Sequence, residues 1–439
     1  MPLFNLRGVS LPHKKGTADI PPVNMPTPKS VLIPLSMHIG APAVPVVKVG
    51  DHVKIGQTVA EAAGYVSAKI HSSVSGKVKS VDTAILSNGR KIPSVLIESD
   101  GLDEICEEIA PPSINSREDF ISAVKESGIV GLGGAGFPTA VKLNVESVDE
   151  IVINGAECEP YITSDTRTML DRGEDIAFGI ELLQKWMSPK QIIFGIEKNK
   201  PVCIANVSAI CKPFENVSVK SLKSIYPQGG EKVLIYHTTK KVVPEGKLPI
   251  DVGVIVINCT TLAEIAKFVR TGMPLVKKCI TVDGSAVAGP KNIIAPIGTR
   301  ICDIIEFCGG LKAPAKKIIL GGPMMGWAVE SPEMPVMKNT NAVLFFDEKD
   351  AEIPPESACI KCGSCANVCP FGLDPKAFVQ ALRAGDDEAL VALKANICME
   401  CGCCAYVCPA KRQLVHTNKI AKSKAMKILK ERKEEKKNG

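Results

Sequence analysis

The segment CIKCGSCANVCP, residues 359–370, returns as CMECGCCAYVCP at residues 398–409, and this pair determines the architecture of the carboxyl-terminal part of the chain. Both copies have the spacing Cys-x2-Cys-x2-Cys-x3-Cys-Pro, which is typical of proteins that bind two 4Fe-4S clusters. In such a motif the first three cysteines bind one cluster and the fourth binds the other. One predicted ligand set is Cys359, Cys362, Cys365 and Cys408. The other is Cys398, Cys401, Cys404 and Cys369.

Zinc is the main alternative to iron for these thiolates. A tetrahedral zinc site needs two Cys-x2-Cys pairs, and it leaves the longer repeat unexplained. Cys403 is out of phase with the repeat, so we interpret it as a bystander. Residues 375–394, between the motifs, have helical periodicity, which indicates an α-helical type of two-cluster ferredoxin domain.

Composition limits the remaining possibilities. A chain of 439 residues with 45% apolar residues predicts three or four domains. Aromatic residues make up only 4%, which argues against nucleic-acid and carbohydrate-binding surfaces. Nine of the 17 cysteines lie in residues 359–408, so metal binding is a better interpretation than disulfides. No apolar signal segment or stretch of 18 apolar residues is found, and we expect a cytosolic or peripheral protein.

Positive charge is concentrated at the carboxyl end. The net charge is +6, and the last 29 residues hold 11 Lys and Arg against 3 Glu. This basic tail could attract anionic lipid or an acidic partner protein. The alternative is a solvated helix with Glu and Lys paired at i,i+4.

The amino-terminal third has a β pattern. Short runs such as residues 46–49 and 95–97 alternate between turns, which predicts strands. Residues 47–65 and 70–81 form two related halves that resemble the biotinyl/lipoyl barrel-sandwich domain. In that family a lysine at the turn carries the prosthetic group, but Gly64 stands there in this chain. The resemblance therefore implies a scaffold domain without a swinging arm.

Strands and helices alternate in the middle of the chain, which predicts an open α/β sheet. The predicted strands are residues 150–153, 191–196 and 253–257, and the predicted helices are residues 118–126, 176–186 and 262–269. Residues 275–325 return to short strands around one helix, residues 300–307, and predict a small α+β unit.

The stretch GIVGLGGAGFPTAVK, residues 128–142, is the most informative one outside the cysteines. Its glycines allow a tight turn that presents backbone N–H groups to a phosphate, and Lys142 supplies a cation nearby. By composition alone it could also be a simple turn, and it lacks the Gly-Lys-Ser/Thr ending of a P-loop.

Together with NGAECEP (residues 154–160) and YPQGGE (226–231), this stretch resembles the flavin-binding subunit of respiratory complex I. The resemblance implies an FMN and NAD(H) site formed by Gly131, Gly133, Gly134, Gly136, Lys142, Asn154, Glu157, Glu159, Glu231 and Asn258. Ala156 replaces an acid usual in that family, which puts one flavin or ribose contact in question. For Glu231 and Asn258, the alternative is a satisfied polar group at a strand end.

The order of modules, with the phrases NGAECEPYITSD (154–165), EGKLPIDVGV (245–254) and GGPMMGWA (321–328), resembles the RnfC family of peripheral electron-transfer subunits. The resemblance implies a multidomain α+β chain. Its parts would be a barrel-sandwich hybrid domain (1–112), an open α/β FMN and NADH domain (113–270), a β-grasp domain (271–345), a helical two-cluster ferredoxin domain (346–415) and a basic tail (416–439).

What the resemblance implies for function is an oxidoreductase that moves hydride between NAD(H) and FMN and single electrons through two clusters. Implied partners are the other Rnf subunits, including the ferredoxin-like subunit and integral membrane subunits that couple electron flow between ferredoxin and NAD to Na+ or H+ transport. The location would be peripheral, on the cytoplasmic side of the membrane.

Two other functions remain open from the sequence. A cobalamin reductase of microcompartments shares these modules, but there the barrel-sandwich domain follows the clusters, whereas here it comes first. A redox adaptor that has lost its nucleotide chemistry is the second alternative.

Overall fold

The computed structural model describes residues 7–85 and 91–438. The first strands form two small antiparallel sheets, ordered β2-β8-β7-β4 and β3-β5-β6. These seven strands are β2 Ser30–Pro34, β3 Val44–Pro45, β4 His52–Val53, β5 Thr58–Glu61, β6 Ile70–His71, β7 Gly76–Ile85 and β8 Lys91–Ser99, and a short strand β1, Val23–Asn24, precedes them. Fully buried Val31, Ile33 and Val53 lie between the sheets. This is the predicted barrel-sandwich arrangement.

Two details of this domain bear on the sequence interpretation. The predicted strand at residues 46–49 is wrong, because β3 ends at Pro45, and Val46 and Val49 are exposed. The alternating apolar residues at positions 46–49 therefore do not mark the buried face of a strand. Gly64 lies exposed in the turn between β5 and β6, where a Cβ would meet no atom within 4 Å.

The middle domain is a four-stranded parallel sheet, ordered β11-β10-β9-β12, with helices around it. Its elements are α1 Arg117–Glu126, α2 Thr139–Leu143, β9 Glu150–Gly155, α3 Ser164–Asp171, α4 Gly173–Met187, β10 Gln191–Glu197, α5 Pro201–Cys211, β11 Val217–Leu222, α6 Glu231–Thr239, a 3-10 helix Pro249–Val252, β12 Val254–Asn258 and α7 Cys259–Thr271. Because the strands are parallel, their carboxyl ends meet at one edge, where Asn154 and Asn258 are paired in register.

The β-grasp domain has a six-stranded mixed sheet, ordered β1-β14-β13-β17-β15-β16. Its own elements are β13 Lys277–Asp283, β14 Lys291–Pro296, α8 Ile301–Phe307, β15 Lys317–Leu320, β16 Trp327–Val329 and β17 Ala342–Phe346. The edge strand β1 comes from the start of the chain and pairs with β14, and Met25 is buried in this core. The segment around β1 therefore packs with the β-grasp sheet, although the predicted barrel-sandwich domain, 1–112, includes it.

The carboxyl-terminal domain is helical. Its elements are α9 Glu348–Ala351, α10 Ser364–Asn367, α11 Pro375–Ala384, α12 Asp387–Ala392, a 3-10 helix Ala395–Ile397, α13 Cys403–Tyr406 and α14 Leu414–Asn438. Helix α14 includes the basic tail, and its residues Ala421 and Ala425 are completely buried in the domain core. Lys424 of α14 pairs with Asp387 at 2.9 Å. Over the described ranges, none of the helices has the length and apolar character needed to span a bilayer.

Candidate functional site

The glycine-rich stretch forms a narrow loop at the edge of the parallel sheet. The Gly131 N–H donates to the Phe137 carbonyl at 2.8 Å, and the Thr139 N–H donates to the Ile129 carbonyl at 3.2 Å. Between these bonds, the N–H groups of residues 133–136 have no acceptor in the part of the chain that the structure describes. A row of unpartnered N–H groups on a glycine turn is the arrangement that binds phosphate, so the loop fits the phosphate of FMN.

Adjacent glycines in this loop serve different purposes. A Cβ on Gly133 would lie 2.6 Å from the Asn258 Nδ2, so the loop can pack on the strand end only without a side chain there. A Cβ on Gly134 would meet nothing within 4 Å. Gly136 has φ of +73°, a left-handed conformation that favours glycine.

Two predicted residues from separate segments meet beside this loop. Lys142 on α2 and Glu231, the first residue of α6, form an ion pair with an Nζ–Oε1 distance of 3.0 Å. Lys142 also donates to the Val256 carbonyl at 3.0 Å. The pair lies within reach of solvent, where a charged ligand could compete for either partner.

The two strand-end asparagines have protein partners. Asn154 donates to the Gly229 carbonyl at 3.0 Å, which holds the 226–231 loop on the sheet edge. Asn258 accepts the Thr260 N–H at 2.9 Å, which caps α7, and donates to Asp165 at 2.8 Å. The contacts of Asn258 are those of a satisfied strand-end group, the alternative that the sequence left open.

Glu157 and Glu159 are largely buried, and each bonds a different loop. Glu157 accepts the Asp165 N–H at 2.7 Å, at the start of α3. Burial raises the pKa of Glu157 to about 7, against the influence of Lys15. Glu159 accepts the Met324 N–H at 3.0 Å and the Met325 N–H at 2.9 Å, and burial raises its pKa to about 7 as well. Both carboxylates thus hold neighbouring segments in place around the site.

Sequence reasoning missed Lys15, which lies beneath these glutamates. Its Nζ donates to the Glu157 carbonyl at 2.9 Å and to the Glu159 carbonyl at 2.8 Å. The partners are more than 140 positions apart, so no local pattern could have indicated the contact. The amino-terminal segment therefore forms part of the floor of the site.

One apolar cavity in the helical domain gathers Cys369 with Cys398, Cys401 and Cys404, walled by residues including Leu373 and Phe378. These four cysteines are the ligand set predicted for the second cluster. Burial raises the pKa of the Cys398 thiol to about 11 and that of Cys404 to about 12, and a bound metal ion would take the place of these protons.

The other predicted set lies nearer the surface. Cys359 and Cys362 are exposed, and a backbone bond of 3.0 Å from Ser357 to Ala410 joins the start of the first motif to the end of the second, next to Cys408. Throughout residues 7–85 and 91–438, no three His, Cys, Asp or Glu side chains already stand in metal-binding geometry. Both ligand sets therefore stay predictions, which the spacing and the shared cavity support.

The cysteine cavity adjoins the flavin side of the molecule. The Tyr226 hydroxyl donates to the Cys401 carbonyl at 2.8 Å, and the Cys403 thiol donates to the Tyr226 carbonyl at 3.8 Å. A Cβ on Gly230 would lie 2.5 Å from the Met399 Cε. The 226–231 loop thus contacts both the sheet edge and the second cysteine motif, and Cys403 packs at this junction.

Comparisons with family models agree with this layout. The chain matches the RnfC barrel sandwich hybrid domain over residues 5–102 and the Nuo51 FMN-binding domain over residues 124–267. It also matches the SLBB domain over residues 279–328 and the 4Fe-4S dicluster domain over residues 356–411. The predicted fold class is confirmed.

Several curated proteins are similar over most of their length. The C component of the proton-translocating ferredoxin:NAD(+) oxidoreductase complex of Clostridium ljungdahlii is 43% identical over 82% of this chain and 80% of its own. The C component of the Na(+)-translocating complex of Acetobacterium woodii is 42% identical over 84% and 85%. The C component of the ion-translocating oxidoreductase complex of Rhodobacter capsulatus is 37% identical over 88% and 76%.

Proposed function

The chain belongs to the RnfC family, the C components of ion-translocating ferredoxin:NAD+ oxidoreductase complexes, and from this premise we propose that it transfers electrons between NAD(H) and the other subunits of such a complex. The observation that supports this most directly is a chain of contacts across the sheet edge. The glycine-rich loop packs on Asn258, the neighbouring Asn154 bonds the 226–231 loop, and that loop bonds Cys401 at the cavity of the second cysteine motif. The family assignment disfavours the cobalamin-reductase interpretation.

The residues of the site have separable roles in this proposal. The N–H groups of residues 133–136 and the Lys142 ammonium would bind the phosphate of FMN, and Glu231 would lie beside the nicotinamide nucleotide. Asn154 and Asn258 hold the loops that would enclose the flavin. When bound, FMN supplies the conversion between the two-electron chemistry of nicotinamide and the one-electron chemistry of a 4Fe-4S cluster.

The two predicted clusters would lie at different distances from the flavin domain. The cavity of Cys369, Cys398, Cys401 and Cys404 adjoins the flavin domain through Tyr226, so it is the inner position. Cys359 and Cys362 are exposed, so their position faces outward. Exposed ligands suit electron exchange with a partner, and we propose that the partner is a ferredoxin-like or membrane-integral subunit on the cytoplasmic side of the membrane.

The test is the cofactor content and reactivity of protein prepared without oxygen. We expect one FMN and about eight irons per chain, and we expect NADH to bleach both the flavin and the cluster absorbance. Iron without flavin, with no response to NADH, would support the redox adaptor instead. Colourless protein with no EPR signal after dithionite would overturn both.

A further inference from the structure

Other domains hold the tip of the glycine-rich loop by its carbonyl groups. The Leu132 carbonyl accepts from the Lys278 Nζ at 2.8 Å, the Gly134 carbonyl from the Asn339 Nδ2 at 3.1 Å, and the Gly136 carbonyl from the Ile39 N–H at 3.1 Å. Lys278 lies on β13, and Asn339 lies just before β17, so two of these donors come from the β-grasp domain. Ile39 belongs to the barrel-sandwich domain. The loop is therefore fixed by residues outside the α/β domain.

The tip thus combines carbonyls that are bonded to other domains with N–H groups that have no acceptor among the described residues. Alternate carbonyls, at residues 132, 134 and 136, are engaged by donors from neighbouring domains. The Leu132 N–H is bonded to the Thr261 hydroxyl at 3.0 Å, which anchors the start of the tip. With its carbonyls held, the loop presents its N–H groups without having to rearrange when an anion arrives, and such preorganisation strengthens binding.

The charge of Lys278 is the unusual part of this arrangement. The residue is 5% exposed, and its Nζ bonds the Leu132 carbonyl and the Asn341 side-chain oxygen. Among the described residues no carboxylate lies within salt-bridge distance of it, and burial lowers the pKa of its amine to about 7, although the more distant charges of Asp165 and Glu264 favour the protonated form. A buried ammonium without a carboxylate partner is unfavourable. An anion bound at the loop would compensate for it.

We propose that Lys278 is a positioning residue for the flavin phosphate, and that through it the β-grasp domain makes the site selective for FMN over riboflavin. The proposal rests on the proposed function, since it assumes that the loop binds FMN. Lys278 acts through the Leu132 carbonyl, which it holds away from the ligand, and through its charge. Riboflavin lacks the phosphate, so neither effect would strengthen its binding.

The test uses the full chain, freed of flavin under anaerobic conditions, and titrates it separately with FMN and riboflavin while flavin fluorescence is recorded. In Lys278→Met the affinity for FMN should fall about tenfold or more, since a charged hydrogen bond is lost, while the affinity for riboflavin changes less than about twofold. Lys277→Met is the matched control. Lys277 precedes Lys278 on the same strand and points to the opposite face, so both affinities should stay as in the wild type.

An equal loss of affinity for both flavins, or no loss for either, would overturn the proposal. If thermal unfolding shows that Lys278→Met does not fold, Asn339→Ala decides. Asn339 is half-buried, and its loss should weaken FMN binding about threefold and leave riboflavin binding unchanged. A wild-type protein that binds neither flavin would overturn the proposed function itself. If the variants keep the wild-type preference for FMN over riboflavin, only the proposed role of the β-grasp domain is overturned.

Discussion

Gly134 differs from its neighbours because the fold itself does not require a missing side chain at this position. Gly133 packs on Asn258, and Gly136 needs a left-handed backbone, so substitution at either position would disturb the loop itself. At Gly134 a side chain would enter open space, and the N–H groups of the loop tip have no acceptor among the described residues. This position therefore separates ligand binding from folding.

We predict that Gly134→Asp abolishes flavin binding and leaves the iron content unchanged. A carboxylate placed among these N–H groups would occupy the phosphate position and repel the phosphate. Gly134→Ala, which adds a methyl group without charge, should retain more flavin. Flavin and iron are quantified on the same anaerobic sample. FMN retained in Gly134→Asp would show that the phosphate binds elsewhere.

The residues that the sequence revealed are those whose chemistry follows from local spacing. The cysteine repeats and the glycine-rich loop were readable in this way. Lys15, Lys278 and Asp165 were not, because each acts through contacts with distant segments. Lys278 carries only a weak signal, since it is a charged residue at an inward position of the strand Lys277–Asp283.

At the scale of elements, a short helix lies between the second and the fourth cysteine of each motif. Helices α10 and α13 pack against each other, and the fourth cysteine of each motif follows one of them. Cys369, which follows α10, lies in the cavity of the second motif. This packing supports the predicted crossed arrangement, in which Cys369 would bind the cluster of the second motif.

Paired substitutions distinguish crossed from sequential ligation. Cys369→Ala should lower the iron content from about eight to about four per chain. Adding Cys404→Ala should remove no more, because both residues serve one cluster, whereas adding Cys365→Ala should remove nearly all the iron. Iron analysis and EPR of the reduced protein measure this. The reverse pattern for the two double variants would establish sequential ligation.

The first half of the basic tail packs into the core of the ferredoxin domain. Ala421 and Ala425 of α14 are buried against the helical core, whereas Met426 is 54% exposed. The sequence shows the helical periodicity and the i,i+4 pairs of this tail. It does not show which turns of the helix are covered by other parts of the domain. The packing surface belongs to α11 and α12, which lie 30 to 50 positions earlier.

We predict that Ala425→Glu destabilises the ferredoxin domain by roughly 3 kcal/mol, because it buries a charge without a partner. Met426→Glu, the adjacent exposed position, should change stability by less than about 0.5 kcal/mol. The readouts are the midpoint of thermal unfolding and the iron retained after anaerobic gel filtration. Equal effects of the two substitutions would mean that α14 is not packed as described.

For the whole molecule, the site forms where segments from several domains meet. Glu159 of the α/β domain bonds the turn at residues 324–325 of the β-grasp domain. That turn lies close to the second cysteine motif, since a Cβ on Gly402 would be 3.1 Å from the Met324 carbonyl oxygen. The amino-terminal segment adds the bridge from Val9 to Tyr226. The modules could be recognised one by one from the sequence, but these junctions could not, because they involve no repeat or spacing.

The carboxyl group of Glu159 should make this junction sensitive to pH. Its pKa is about 4.5 in the unfolded chain and is raised to about 7 by burial in the folded protein. Between pH 4.5 and pH 7 the carboxyl group is therefore protonated in the folded state and ionised in the unfolded state. Stability contributed by this group is therefore present at acidic pH and decreases as the pH rises toward 7, by up to roughly 1.4 kcal/mol per pH unit.

Replacing this group by one that does not ionise should remove that dependence. In Glu159→Gln we expect the unfolding temperature, relative to the wild type, to increase by a few degrees between pH 5.5 and pH 7.5. Glu264→Gln is the control. Burial opposes ionisation of Glu264, but Lys267 and Arg172 outweigh it and lower its pKa, so its effect should be the same at both pH values. A Glu159→Gln curve parallel to that of the wild type would show that Glu159 stays ionised at the junction throughout this range.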